Sequence, residues 1–303
     1  MKKLSINILF ALALLSLSSC ESEMEQEIPS YLKIDNIVLV DNPSDSWSQE
    51  SGFFTHDIDA VNIVVWQDGD AAETELGTFQ LPCQVPLLKK GNMDRVRILP
   101  VIKQNGIAGT RIYYPYYEAI RLTDIPFAED SVTDLGTLQT HYVSKSEMKV
   151  LWQEYFEPGP SPVKLDTVVQ RLLYKADTVL SGYGCGVVRL ADSVKVLNFW
   201  SDTTINISDP TSVVYLEMDY WSDFDFSVGL KNPSYENGNV LTESAMTIYG
   251  KPQAGWQKIY INLGKLWART YRYYPDIRLY FSVFNPNGKT GSLYIDNMKL
   301  VVL

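Results

Sequence analysis

The chain is poor in the side chains on which most catalysis depends. It has two histidines, His56 and His141, and three cysteines, Cys20, Cys83 and Cys185, in 303 residues. Neither histidine has a cysteine or a second histidine at ligand spacing, and there is no HExxH, paired CxxC, P-loop or serine elbow. That leaves out the common zinc, nucleotide and serine-hydrolase chemistries. Gly182-Tyr183-Gly184-Cys185-Gly186 imitates a dinucleotide loop, but Val187 stands where the third glycine belongs and no helical pattern follows. It reads as a strand or turn where backbones come close. Basic residues are also scarce: 26 Lys and Arg against 36 Asp and Glu give a net charge of −10. Nucleic acid and anionic lipid surfaces both need basic patches, so neither is an expected partner. Long runs with helical period and caps are missing, as are internal repeats. No apolar run reaches the roughly 20 residues needed to cross a membrane as a helix.

What is present is a β pattern with enough apolar material, 46% of the chain, for real cores. The length suits two domains. Over residues 31–140 short apolar-rich runs alternate with turns: Tyr31 to Val40, Ile58 to Trp66, Arg95 to Lys103 and Ile120 to Leu122, with an Asp68-Gly69 hairpin cue. Pro82 and Pro86 demote the segment around them to an edge or irregular strand. About seven short strands here suggest a β-sandwich of immunoglobulin-like or transthyretin-like type. Residues 131–146 are polar without clear period, and the domain boundary is expected there. From Met148 the alternation resumes and sharpens. Val214, Leu216, Met218 and Tyr220 share one face of a strand, opposite Tyr215, Glu217, Asp219 and Trp221; Ile277, Leu279, Phe281 and Val283 share another. Strict alternation predicts antiparallel sheets packed on one side and wet on the other. Cys83 and Cys185 lie far apart in the chain and read as two small buried thiols.

The N-terminus reads as an export signal. A basic head, Met1 to Lys3, precedes an apolar run from Ile6 to Leu17 and the small residues Ser18 and Ser19. Leu17-Ser18-Ser19-Cys20 resembles the bacterial lipobox. That resemblance implies a signal over residues 1–19, lipidation of Cys20 and a membrane anchor of several acyl chains. Four carboxylates follow within Glu21 to Glu27, so residues 20–30 read as a solvated acidic tether. Such a cluster resembles the export tag of Bacteroidota surface lipoproteins and implies an outer-membrane, outward-facing location. A polar spacer on a periplasm-facing lipoprotein is the alternative.

Several stretches between 148 and 303 resemble a galactose-binding-domain-like jelly roll, similar to the carbohydrate-binding modules of glycan-degrading bacteria. They are Phe156-Glu157, Ser181-Gly182-Tyr183-Gly184, Val214 to Tyr220, Trp256 to Leu263, and Tyr294-Ile295-Asp296-Asn297. Jelly rolls of this kind often hold a structural calcium, and the resemblance places its carboxylates at Glu157 and Asp296. Asp296 can equally orient a closing turn. A sugar-binding surface needs exposed aromatic planes beside hydrogen-bonding groups. Trp221, Trp200, and Tyr271, Tyr273 and Tyr274 in the loop Trp267 to Tyr274 are the candidates, with Tyr113, Tyr114, Tyr116 and Tyr117 as a second cluster. Core packing is the competing role for each ring. Glu217 and Asp219, two apart on a strand and about 7 Å from each other, are the best carboxylate pair, but alternating acids on a wet sheet face are common without catalysis.

The expectation is an all-β lipoprotein: a sandwich over 31–140 as spacer, and a jelly roll over 148–303 that binds a polysaccharide without cleaving it. A structural or assembly role through contacts with envelope proteins is the alternative.

Overall fold

The computed structural model describes residues 28–47, 52–88, 91–160, 162–173, 178–206, 213–232, 242–271 and 276–303. Cys20 and its acidic tether up to residue 27 lie outside the described residues, as do Tyr273 and Tyr274. The protein is all-β. In the N-terminal half the strands are β1 (Ser30–Ile34), β2 (Asn36–Leu39), β3 (Ala60–Trp66), β4 (Thr74–Gln80), β5 (Cys83–Leu87), β6 (Gly91–Lys103), β7 (Arg111–Tyr113), β8 (Ile120–Phe127), β9 (Val132–Asp134) and β10 (Thr137–Thr140). In the C-terminal half they are β11 (Lys149–Glu154), β12 (Gln170–Leu173), β13 (Gly184–Leu190), β14 (Val196–Trp200), β15 (Ile205–Asn206), β16 (Val214–Ser222), β17 (Asp225–Lys231), β18 (Thr242–Ile248), β19 (Gln257–Asn262), β20 (Asp276–Phe284) and β21 (Gly291–Val302); among the described residues one α-helix, α1 (Gly264–Tyr271), follows β19.

The N-terminal sandwich is built on a β4-β3-β6-β7 sheet to which β8 adds on β6. Its chain ends close on each other. β1 runs parallel to β9, and β2 runs parallel to β10. The two pairs are joined by hydrogen bonds from Leu135 to Lys33 and from Asp35 to Gly136. β9 and β10 thus run through part of the stretch 131–146 that reads as polar and without clear period. They are short and half exposed, so backbone pairing rather than an apolar row defines them, and period-2 reading misses them. Pro82 lies in the turn before β5, and Pro86 lies within β5, at the edge of its sheet.

The C-terminal half is a two-sheet jelly roll. One sheet, here the central sheet, runs β12-β13-β21-β16-β19, with β11 also on β21; the other, the distal sheet, runs β14-β20-β17-β18, with β15 on β20. Between them lies one core, in which Leu216, Met218, Phe226, Val228, Phe281 and Leu300 meet. A second core lies on the other side of the central sheet. Tyr215, Tyr260 and Val301, on its outward face, pack into the same cluster as Tyr114, Tyr117 and Ile102 of the N-terminal sandwich. The central sheet is therefore the middle layer of three, and eight of the nine residues of β16 are buried. This corrects the expectation of a wet face on that strand.

The segment read as a loop from Trp267 is also corrected. It begins inside α1, whose first turn is held by the Asn262 side chain accepting from the Gly264 N–H at 2.9 Å. Leu266 and Trp267 are buried in the jelly-roll core. Eight residues are too few to show a helical period in sequence. Cys83 and Cys185 are free thiols, half-buried and buried.

Candidate functional site

The register of the central sheet explains its outward face. Glu217 on β16 pairs with Tyr260 on β19 and with Lys299 on β21, and Asp219 pairs with Lys258 and Asp296. Glu217 and Lys299 are fully buried, and their charged atoms lie 3.3 Å apart. Tyr114 and Tyr142, from the N-terminal sandwich, each donate a hydroxyl to Glu217 at 2.7 Å. Lys299 donates to the Tyr142 hydroxyl at 2.7 Å and to the Phe53 carbonyl. A buried charge of this kind is tolerated only when it is paired and its remaining sites are filled. Burial pushes the Glu217 carboxyl up, but Lys299, Lys258 and the two tyrosines outweigh it and hold it below its usual range. Burial brings Lys299 down to about 8.

Asp219 is equally committed. It accepts from Thr55 at 2.7 Å and from the Asn297 amide at 2.8 Å, with Lys258 at 3.7 Å. The pair expected on a wet face is thus a dry seam between the two halves. The tyrosine cluster belongs to the same seam: Tyr114, Tyr116 and Tyr117 are fully buried, and Tyr114 contacts Tyr215 and Tyr260 edge-on at 5.3 and 4.9 Å. They are core residues and leave only Tyr113 exposed. Lys258, Lys299 and Tyr142 escape sequence reading because each is an ordinary surface type until a second domain covers it.

Trp221 lies where the covered face ends. It is half-buried, its indole N–H donates to the Pro252 carbonyl at 2.9 Å, and Tyr294 packs beside it at 5.5 Å. Tyr271 is the last residue of α1; its side chain lies outside the described residues, so the structure does not join it to Trp221.

Glu157 lies beside the glycine-rich turn, and its charge reaches the Asp296 carboxyl on β21. Both Glu157 oxygens accept from the Tyr183 N–H, at 3.2 and 3.1 Å. Gly184 is required there, since a Cβ would sit 2.1 Å from the Phe156 carbonyl oxygen. Asp296 is fully buried; one oxygen accepts from the Asn297 N–H at 2.8 Å, and the other has no partner. Burial, reinforced by Asp219 and Glu157, pushes its carboxyl up to about 8. No group of three or more His, Cys, Asp or Glu that could hold a metal occurs among the described residues.

The distal sheet presents the other outward face. Its inward row on β20 is Ile277, Leu279, Phe281 and Val283, all buried. The outward row is therefore Arg278, Tyr280, Ser282 and Phe284. Register sets Trp200 beside Tyr280 and Gly229, and sets Asn198 beside Ser282, Ser227 and Thr247. The result is a floor of small hydroxyl side chains with two half-buried rings at one end. Tyr280 donates to Asn198 at 2.9 Å, and Ser244 donates to Ser227 at 3.2 Å. Lys231 lies over the Trp200 ring at 3.3 Å, which pins that ring. Burial, then Arg278, lowers the Lys231 ammonium. Trp200 is the one sequence candidate on this face. Its partners Tyr280, Ser282 and Asn198 were legible only as the residues between the apolar ones.

No protein-family model and no curated protein sequence matches the chain. Among solved structures, the CBM22-1 xylan-binding domain from Paenibacillus barcinonensis Xyn10C matches at 14% identity and TM-score 0.36, over 52% of this chain and 96% of that one. TmCBM61, solved in complex with β-1,4-galactotriose, matches at 17% identity and TM-score 0.32, over 50% and 97%. The family 30 carbohydrate-binding module of a Clostridium thermocellum cellulosomal cellulase matches at 14% and 0.33, over 50% and 96%. Likeness at this level leaves function to the residues of this chain.

Proposed function

We propose that this chain binds a glycan without cleaving it, through the outward face of the distal sheet. The observation that carries the reading is the arrangement of Trp200 and Tyr280 beside the exposed Asn198, Ser244 and Thr247, with Ser227 and Ser282 buried in the floor beneath them. A ring can cover the apolar face of a sugar while hydroxyl and amide groups beside it bond the sugar's hydroxyls. These side chains stand on paired strands, so the surface is largely preformed. The non-catalytic half of the reading is supported by Glu217 and Asp219, each fixed by lysine and hydroxyl partners under the N-terminal sandwich.

Two further parts belong to the proposal. The N-terminal sandwich acts as a spacer on a lipid anchor at Cys20, in an outer membrane and facing outward; the lipobox-like Leu17 to Cys20 and the acidic stretch after it support this. Glu157 and Asp296 hold a structural calcium, supported by the unpartnered buried oxygen of Asp296 and by the charge of Glu157, which helps to raise the Asp296 carboxyl. Oxygen ligands suit calcium, and backbone carbonyls would complete the six to eight it takes. Its charge would ionise Asp296.

The test is a polysaccharide and glycan-array screen on the purified chain, repeated with Trp200→Ala and Tyr280→Ala. Saturable binding that both substitutions abolish supports the reading. Silence across a broad panel, or binding that survives both substitutions, defeats it.

A further inference from the structure

The outward face of the distal sheet is uneven in charge along its strands. Leu230 and Leu279 are buried, so alternation turns Lys231 and Arg278 outward, onto the face that carries Trp200 and Tyr280. Register sets Lys231 directly opposite Arg278, and both are half-buried. At the other end of β17 stands the exposed Asp225, about 20 Å from Lys231 along an extended strand. The ring end of the face is therefore cationic, and its far end is acidic.

Like charges directly opposite each other in an antiparallel pair are destabilising. Here no ion pair relieves them: among the described residues no carboxylate bridges to Lys231 or to Arg278. Lys231 contacts the Trp200 ring, 3.3 Å from its centroid, and Arg278 donates to the Ser201 carbonyl at 3.3 Å. Both partners are neutral. Burial, then Arg278, lowers the Lys231 ammonium, and among the described residues Asp166 is the acid that counters them. Asp166 is itself held in a turn, where its Oδ1 accepts from the Val168 N–H at 3.2 Å. In a chain with 36 acidic and 26 basic residues, two facing cations without a carboxylate between them are an exception. Local rules of this kind are broken mainly at functional sites.

An ammonium over a ring keeps N–H groups for a second partner, and a guanidinium with five N–H groups keeps several. An anion seated beside Trp200 would accept from both and remove their repulsion. Such charge-assisted hydrogen bonds are roughly twice as strong as neutral ones. A uronic acid offers this anion as its carboxylate and still has a ring to lay on an aromatic plane. We propose that the glycan held by the distal face is acidic, with the carboxylate of a uronic acid residue bound between Lys231 and Arg278. Asp225 repels charge at the other end, which fixes the carboxylate at the ring end. The proposal rests on the reading of this face as a glycan site and names the class of glycan.

The test measures binding to the full purified chain. The probes are polygalacturonate, glucuronoxylan and unsulfated chondroitin, each beside its carboxyl-reduced form, with κ-carrageenan as a sulfated polymer without carboxylate. The expected result is saturable binding of at least one uronate polymer, weakened about 10-fold or more by carboxyl reduction, the size of a hydrogen bond between charged groups. Lys231→Gln combined with Arg278→Gln should lower the affinity for the native polymer to that of the reduced one. Retained affinity for the reduced form shows that this variant is folded. Equal affinity for native and reduced polymers, lost for both in Trp200→Ala, overturns the acidic assignment and leaves a neutral-glycan site. So does failure of every uronate polymer while a neutral one from the broad screen binds through Trp200. Binding of κ-carrageenan in place of the uronates overturns the carboxylate. Silence throughout overturns this proposal together with the reading on which it rests.

Discussion

On the central sheet the outward row of β16 is Tyr215, Glu217, Asp219 and Trp221; on the distal sheet the outward row of β20 is Arg278, Tyr280, Ser282 and Phe284. Both alternate with a buried apolar row, and both mix rings with polar groups. The first is dry as far as Asp219, because Tyr114, Tyr116 and Tyr142 from the other half of the chain lie on it. The second carries half-buried rings and exposed Asn198, Ser244 and Thr247. Alternation shows that two faces of a strand differ. It does not show which of them meets water, since a second domain can cover the polar face if it brings partners for every charge.

The sharpest way to break this comparison is to remove one charge from the dry face. Glu217→Ala leaves Lys299 buried without its carboxylate, and losing one partner of a buried pair costs about 3–5 kcal/mol. Thr247→Ala, at an exposed position of the distal face, should stay within about 0.5 kcal/mol. Urea unfolding of the two variants measures both. Equal costs would mean that the central face is not sealed. Adding Lys299→Met to Glu217→Ala should recover part of the loss, because it removes the orphaned charge.

The next effect depends on pH. Asp296 carries its proton in the folded state up to about pH 8, whereas the ordinary value is 3.8. The folded state then binds a proton that the unfolded state has released. Stability without bound cation is therefore greatest below the ordinary value and is lost as pH rises toward 8, by up to about 1.4 kcal/mol per pH unit. Calcium bound between Glu157 and Asp296 should flatten this slope, as should Asp296→Asn. Unfolding midpoints at several pH values, with calcium and with a chelator, check it; a chelator that changes nothing at neutral pH would remove calcium from the account.

Tyr114→Phe probes the seam more gently. It removes one of the two tyrosine hydroxyls on Glu217 and keeps the ring contacts. A hydrogen bond to a charged group contributes about 1.5–3 kcal/mol, so the loss should fall below that of Glu217→Ala and reappear in the same unfolding assay.

These contrasts also show how much the sequence could say. The strands of the jelly roll were legible because Ile277 to Val283 and Val214 to Tyr220 keep strict period two over long runs. The pairing of Glu217 with Lys299, and of both with Tyr114 and Tyr142, was not, because those contacts join residues far apart in the chain and depend on how the two halves dock. β9 and β10 were missed for a related reason: they are three and four residues long and mostly polar, too short to establish a period, and their pairing to β1 and β2 joins residues about a hundred apart. Trp200 could be singled out as an aromatic residue near polar ones. Its setting beside Tyr280 and Asn198 required the β14–β20 register.

The smallest effect on stability should come with the largest effect on binding. Trp200 contributes a half-buried ring and one contact with Lys231, a pairing that adds about 0.5–1 kcal/mol at exposed sites. Trp200→Ala should therefore cost far less than Glu217→Ala. If the distal face holds a glycan, the same substitution removes the ring that covers the sugar. Truncating a central aromatic anchor costs about 2 kcal/mol or more in binding, a roughly 30-fold loss of affinity. Trp221→Ala, at the open end of the central sheet, is the matched control, and it should leave that affinity unchanged. Affinity electrophoresis of both variants against whichever polysaccharide the screen returns decides between the faces. Loss with Trp200→Ala alone assigns recognition to the distal sheet. Loss with Trp221→Ala alone moves it to the uncovered end of the central sheet and reverses the comparison drawn from the two rows.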